Sequence, residues 1–220
     1  MPEVTRFGSL RRSTNLFSQG QTGDSVYLIE DGLVKLTRTN NRNGRIILAI
    51  LGGGDVLGEE CLAGESVAYY ADAEVLTPVS AYRIPREALT RTLSTNPELT
   101  AALLSAIIQQ KRVLAEKVEL LCLQDVEYRI LHYLAELASL IKPAPGGEGY
   151  QLPITQLELA DLIGATRETT STTLNQLERR GLLKLSRRLL TIPSPLTLRT
   201  AAMARTNGQA AAGATASGVL

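Results

Sequence analysis

Tryptophan is absent from this 220-residue chain, histidine occurs once, and cysteine and methionine occur twice each. The scarcity excludes several functions. Two cysteines, Cys61 and Cys122, cannot build a disulfide framework, and they fall short of the roughly four thiolates an iron–sulfur cluster requires. A single histidine, His132, sits in a helix-like stretch and reads as a core residue rather than a haem or metal ligand. Without a nucleophile motif or a cluster of metal-binding side chains, no site meets the geometric demands of catalysis. Glu59 and Glu60 beside Cys61 would raise a thiol pKa, so Cys61 reads as a small packed residue and not a redox switch. No apolar run approaches the roughly 18 residues of a membrane span. The polar start, MPEVTRFGSLRRSTN, lacks the apolar core of a secretion signal. The expectations are therefore a cytoplasmic protein, no membrane partner, no metal and no enzymatic activity.

Acidic residues are scarce in one region in particular. Residues 164–220 hold eight basic side chains and two acidic ones, although the whole chain carries a formal net charge of only +1. A basic terminal segment on an acidic body suits a polyanion-binding module joined to a regulatory domain.

The first third reads as short strands separated by turns. Segments 25–30 (SVYLIE), 33–39 (LVKLTRT) and 45–51 (RIILAIL) are rich in β-branched and aliphatic residues. Asp31-Gly32 and Asn43-Gly44 are tight-turn dipeptides between them. Segments 68–75 and 79–84 continue the pattern. Gly52-Gly53-Gly54-Asp55 is a further turn, not a dinucleotide fingerprint, because a strand-like segment follows it. Strands this short and this regularly interrupted predict a small barrel or roll.

After Pro85 the periodicity changes. Asn96 and Pro97 form a helix start, as cap and first-turn proline, and the helical pattern runs to about Leu123. Two columns at heptad spacing, Ile107-Leu114-Leu121 and Leu99-Ala106-Val113-Leu120, form a wide apolar stripe. This predicts a dimer-forming coiled coil through Ala106, Ile107, Val113, Leu114, Leu120 and Leu121, against the alternative of a helix packed on its own domain. Gln124-Asp125 reads as a hinge into another helix, about 126–141, and 142–149 (KPAPGGEG) as a loop. The Ala/Gly/Thr/Ser-rich end, 193–220, reads as mostly disordered.

Residues 154–183 carry the sharpest signal. Thr155 and Glu158 have capping-box spacing, and Leu159, Leu162 and Ile163 line one helical face. Gly164 ends that helix and Thr166 caps a second, whose apolar positions include Leu174 and Leu177. Arg167, Glu168, Thr170, Ser171 and Thr173 are expected on its outer face. This is the arrangement of a helix-turn-helix, with an apolar seam inside and a polar N-terminal end able to meet base edges. A plain helical hairpin is the alternative. Residues 181–192 (GLLKLSRRLLTI) predict a two-stranded wing.

Taken in order, these parts resemble the cyclic-AMP receptor protein and fumarate–nitrate reductase regulator (Crp/Fnr) superfamily of bacterial transcription factors. The resemblance rests on Phe17-x-x-Gly20, Tyr27-Leu28-Ile29 with Gly32, Val34-Lys35-Leu36, Gly58-Glu59 and Gly164-x-x-Arg167-Glu168-Thr169. It implies an α+β chain: a β-roll of cyclic-nucleotide-binding, jelly-roll type over 1–96, a dimerisation helix over 97–123, and a winged helix-turn-helix over 124–192. It also implies a homodimer on two-fold symmetric double-stranded DNA and activation through RNA polymerase, with 40–44 and 142–149 as contact surfaces. Repression at overlapping sites fits the same architecture.

By resemblance, Arg167 and Glu168 would read base edges, guanine by the guanidinium and cytosine by the carboxylate, with Ser171 beside them. The family's third reader, usually arginine, falls on Thr172, so its usual half-site does not carry over in full. Thr155, Gln156, Thr166 and Thr169 would position the DNA backbone, and Arg187 and Arg188 would reach phosphates from the wing.

The effector region departs from the family. Gly58 and Glu59 match the turn where Glu59 would accept from a ribose hydroxyl. Tyr69-Tyr70 stand where an Arg-Ser or Arg-Thr pair would hold a phosphate, and Leu114-Ala115 where a Thr-Ser pair would meet adenine. Losing an arginine–phosphate pair weakens a buried site severely. Two readings remain: no small effector, with the tyrosines and Leu114 filling the pocket as in stress-response members that work without one, or a different, less charged ligand. A ligand-binding module whose helical end docks a protein partner is the competing function. The basic bias of the C-terminal region argues against it.

Overall fold

A computed structural model of the chain describes residues 4–42, 44–147, 149–186 and 189–216. The chain divides into two compact units, Met1–Val118 and Glu119–Leu220, at a point inside one long helix.

The first unit is built on two four-stranded antiparallel sheets. One has the order β1 (Thr5–Leu10), β8 (Val79–Pro85), β3 (Ser25–Asp31), β6 (Val56–Leu57); the other β2 (Asn15–Phe17), β7 (Asp72–Val75), β4 (Val34–Thr39), β5 (Arg45–Leu51). Alternating residues of both sheets meet in one core, including Phe17, Val26, Ile29, Val34, Leu57, Ala73, Val75 and Ala81. This is the expected roll. The segment 68–75 pairs regularly only from Asp72, with a single bridge between Thr22 and Ala68 before it. Helix α1 (Arg86–Thr95) follows β8 and packs Leu89 into the core.

Helix α2 spans Pro97–Leu123. Asn96 caps it, its Oδ1 accepting from the Leu99 N–H at 2.9 Å. The helix is apolar on more than one side, and the six expected residues divide between covered and exposed positions. Leu120 is buried and Ala106, Ile107 and Leu121 are half-covered by the chain itself, whereas Val113 and Leu114 are exposed. The Gln110 amide donates to the Val56 carbonyl at 2.6 Å, turning that face toward the roll. Leu104, Ile108 and Val118, each at least half exposed, lie on another face together with exposed Lys111, Ala115 and Cys122. Their alternating spacings of four and three are those of a heptad seam.

The second unit contains α3 (Val126–Ser139), α4 (Gln156–Ile163), α5 (Arg167–Arg179) and α6 (Pro195–Ala216). Its sheet has three strands, not two: β10 (Lys184–Leu185), β11 (Leu190–Ile192) and β9 (Tyr150–Leu152), in that order. Strand β9 supplies the edge that the two-stranded wing lacked. Ile130, Leu131, Leu134, Leu152, Leu159, Ile163, Leu174 and Leu177 are fully buried.

The expected disordered end is corrected at 195–216, which is helical. Alanine-rich sequence has high helix propensity, Pro195 suits a first turn, and Leu198 and Ala202 are buried as α6 packs on α3. Residues 217–220 lie outside the described residues. No helix is long and apolar enough to cross a membrane, and no group of three metal-binding side chains occurs among the described residues.

Candidate nucleic-acid interface and effector pocket

The turn between α4 and α5 is fixed from several sides. Thr155 and Glu158 form the complete capping box: the Thr155 hydroxyl accepts from the Glu158 N–H at 3.1 Å, and Glu158 accepts from the Thr155 N–H at 2.9 Å. Gly164 ends α4 at φ 63°, and a Cβ there would lie 2.8 Å from the Leu121 side chain. The left-handed backbone favours glycine, and any Cβ would also require the Leu121 side chain to shift. Arg129 of α3 donates to the Ile163 carbonyl at 2.7 Å, satisfying the end of α4. Thr166 caps α5, accepting from the Thr169 N–H at 3.2 Å.

With both ends of the turn held, α5 presents Arg167, Glu168, Thr169 and Thr172 to solvent, with Ser171 half-covered. The expected outer positions Thr170 and Thr173 are corrected: both are buried. Each hydroxyl donates to the carbonyl four residues earlier, at 2.9 Å, so these threonines enter the seam with their polar atoms satisfied. Asn175, Gln176 and Arg179 are exposed, and together with Glu168 and Thr172 they continue the outward stripe. Helical spacing from Glu168 could have located them.

Of the expected backbone-positioning residues, Thr155 and Gln156 are half-buried and Thr166 and Thr169 exposed. The Thr155 hydroxyl already donates to Glu158 at 2.9 Å, and those of Thr166 and Thr169 share one hydrogen bond at 3.0 Å. Arg187 and Arg188 lie outside the described residues.

The basic surplus is smaller than composition suggests. Arg180 pairs with Glu127 at 2.6 Å, Arg199 with Glu136 at 3.0 Å, and Arg205 with Asp125 at 2.6 Å. Arg167, Arg179 and Lys184 are exposed.

In the first unit, the turn at Gly58 leads into a 3-10 turn, Glu59–Ala63. Gly58 has φ 75°, and a Cβ would meet the Tyr69 ring at 2.9 Å and the Ser25 carbonyl at 3.0 Å. Tyr69 is a core residue. It stacks on Phe17 at 4.0 Å, its hydroxyl donates to the Ser25 carbonyl at 2.7 Å and accepts from the Ser25 N–H at 3.1 Å. Burial pushes its pKa up to about 12.

Tyr70 does not fill a pocket. It is 57% exposed, with the Arg38 guanidinium 3.7 Å over its ring and donating to its carbonyl at 2.6 Å. Tyr69 and Tyr70 precede the regular strand, which begins at Asp72, and the chain there turns one ring into the core and the other to solvent. The Tyr70 N–H donates to Glu60 at 3.1 Å. Glu59 has its pKa raised, first by burial and further by Glu60. Leu114 and Ala115 are exposed. Cys61 is buried, its thiol pushed up to about 11 by burial and then by Glu60.

Comparison with known proteins bears on both units. The profile of the cyclic nucleotide-binding domain matches residues 8–96, and that of the Crp-like helix-turn-helix domain matches residues 128–201. A CRP-like cAMP-activated global transcriptional regulator of Mycobacterium tuberculosis is 30% identical over 175 residues, covering 79% of this chain and 78% of its own. The global nitrogen regulator of Synechococcus elongatus is 27% identical over 189 residues, covering 85% of each. A solved CRP-family transcriptional regulator from Thermus thermophilus superposes with a TM-score of 0.77 at 25% identity, over 90% of this chain and 96% of its own. These relatives are transcription regulators, not enzymes.

Proposed function

The chain belongs to the Crp/Fnr superfamily of transcription regulators, and we propose that this DNA-binding regulator works as a homodimer without cyclic AMP. The observation that carries the reading is the start of α5. Arg167, Glu168 and Thr172 are exposed on a helix whose N-terminus is capped and whose inner face is buried. Arg167 and Glu168 read bases, and Ser171 and Thr172 add short polar contacts. Thr155, Gln156, Thr166 and Thr169 set the backbone register.

Two copies join along α2. The seam is Leu104, Ile108, Lys111, Ala115, Val118 and Cys122, which are left exposed by a single chain, while Ala106, Ile107, Leu120 and Leu121 serve mainly the chain's own packing. Val113 and Leu114 flank the seam.

Independence from cyclic AMP is supported by charge at the Gly58 turn. A phosphate approaching at Tyr70 would meet the Glu60 carboxylate, to which the Tyr70 N–H is already bonded. Of the guanidinium groups described nearby, Arg38 lies on the Tyr70 ring and its carbonyl, and Arg86 pairs with Glu65 at 3.6 Å. Like charge at such a site disfavours an anionic ligand. We also propose activation through RNA polymerase, with 40–44 as a contact surface.

Ile108→Glu with Val118→Glu tests the assembly. Acidic side chains facing each other across a two-fold seam should give monomers by sedimentation. Binding to duplex should then fall about 10²-fold, since the second half-site loses its tether. A double variant that stays dimeric would refute the seam.

A further inference from the structure

Arg205 lies beyond the stretch matched by the helix-turn-helix profile, which ends at residue 201. It is nevertheless engaged with two carboxylates of the second unit. Leu198, Ala202 and Arg205 fall at i, i+4 and i+7 on α6, so one face carries two buried apolar residues and then a guanidinium. That guanidinium reaches two carboxylates at the start of α3. Its Nε donates to Asp125 Oδ2 at 2.7 Å and its Nη1 to Glu127 Oε2 at 3.0 Å.

The other oxygen of each carboxylate is also assigned. Asp125 Oδ1 caps α3, accepting from the Tyr128 N–H at 2.8 Å. Glu127 Oε1 accepts from Arg180 at 2.6 Å. Arg180 is the C-cap of α5, and its own N–H returns to the Gln176 carbonyl. One nearly buried carboxylate, Glu127 at 9% exposure, therefore ties the end of α5 to the guanidinium of α6. With Arg180 alone, a carboxylate so far removed from water would be only half-satisfied. Arg205 supplies the remaining bonds and positive charge.

We propose that Arg205 is a positioning residue for DNA recognition: through Glu127 it holds Arg180, and with it the C-terminal end of α5, so that Arg167 and Glu168 at the other end meet bases in register. The proposal rests on α5 being the reading helix. A 13-residue helix is a rod of about 20 Å, so a small tilt at one end displaces the other. It also assigns Arg205 a role different from that of a phosphate-binding cation.

The test compares Arg205→Gln, Arg205→Lys and Arg180→Gln in the full-length protein, using a duplex that the wild type selects from a random pool and an unrelated duplex. Arg205→Gln should lower the ratio of selected to unrelated affinity about tenfold, within the usual range of coupling between elements, and leave the salt slope unchanged. Arg180→Gln should do the same, the double variant should add little, and Arg205→Lys should recover part of the loss by restoring charge without the two-pronged geometry. Equal weakening of both duplexes with a slope about one unit shallower would make Arg205 a phosphate contact and overturn the proposal. Lowered melting temperature with an unchanged ratio would make it only a structural strut, which also overturns it.

A second readout needs no DNA. In Arg205→Gln, the amides of Arg180, Gly181 and Leu182, which donate to Gln176, Glu178 and Leu177, should exchange about tenfold faster with solvent. Unchanged exchange refutes the latch whatever the DNA result. If the wild type selects no duplex, the DNA-reading assignment fails, and exchange still decides whether Arg205 holds α5.

Discussion

Around the Gly58 turn, polar groups are bonded to one another: Tyr69 to both backbone groups of Ser25, Glu60 to the Tyr70 N–H, Arg38 to the Tyr70 carbonyl. At the start of α5 the order is reversed. Caps and buried threonines satisfy the backbone, while Arg167, Glu168 and Thr172 face solvent. A ligand gains little where it must displace internal hydrogen bonds of similar worth, and more where partners are exposed and their supports rigid. The comparison supports the proposal that the first domain serves a structural role while the helix-turn-helix reads DNA.

The contrast is broken most severely at Tyr69. Tyr69→Ala removes a buried ring, its stack on Phe17 and two hydrogen bonds, and should cost about 3–5 kcal/mol in denaturant unfolding. Tyr70→Ala removes an exposed cation–π contact and should cost about 1 kcal/mol or less. Equal losses would mean that Tyr70 is internal after all. On the reading side, Arg167→Ala should lose about 1–3 kcal/mol of preference for the selected sequence over an unrelated one, measured by titration at fixed salt. Folding should be unaffected, because the side chain is exposed.

The smallest effect sharpens the account of the turn. Glu59 has a raised pKa through burial, so folding disfavours its ionised form. Its contribution is fully favourable below the unfolded pKa and is lost as pH rises through the higher folded value. Glu59→Gln should therefore raise the melting temperature by about 1–2 °C at pH 7 and give no gain near pH 4. A gain that is larger in acid would reverse the assignment.

Much of the reading unit was legible because its signals are local. The Thr155–Glu158 box, Gly164 and the Thr166 cap each act within four residues, and each forms as expected. What escaped depends on neighbours distant in sequence. Thr170 and Thr173 are polar, yet a hydroxyl that bonds a carbonyl four residues back can be buried at little cost. The mixed Ala/Gly/Thr/Ser composition of 193–220 fits a flexible tail as well as a helix; the facing of Leu198, Ala202 and Arg205 toward α3 favours the helix. Heptad spacing on α2 identifies apolar columns but not which of them the chain's own fold will cover. Adjacent tyrosines at 69 and 70 sit in irregular backbone before β7, and only the Phe17 and Ser25 partners of one and the Arg38 contact of the other decide which is internal.

The most direct measurement is selection of bound duplexes from a random pool by the ligand-free protein, repeated with millimolar cyclic AMP. The account predicts the same two-fold symmetric site in both, with half-site centres about 34 Å apart, one duplex turn. Enrichment only in the presence of the nucleotide, or a site without symmetry, would contradict it.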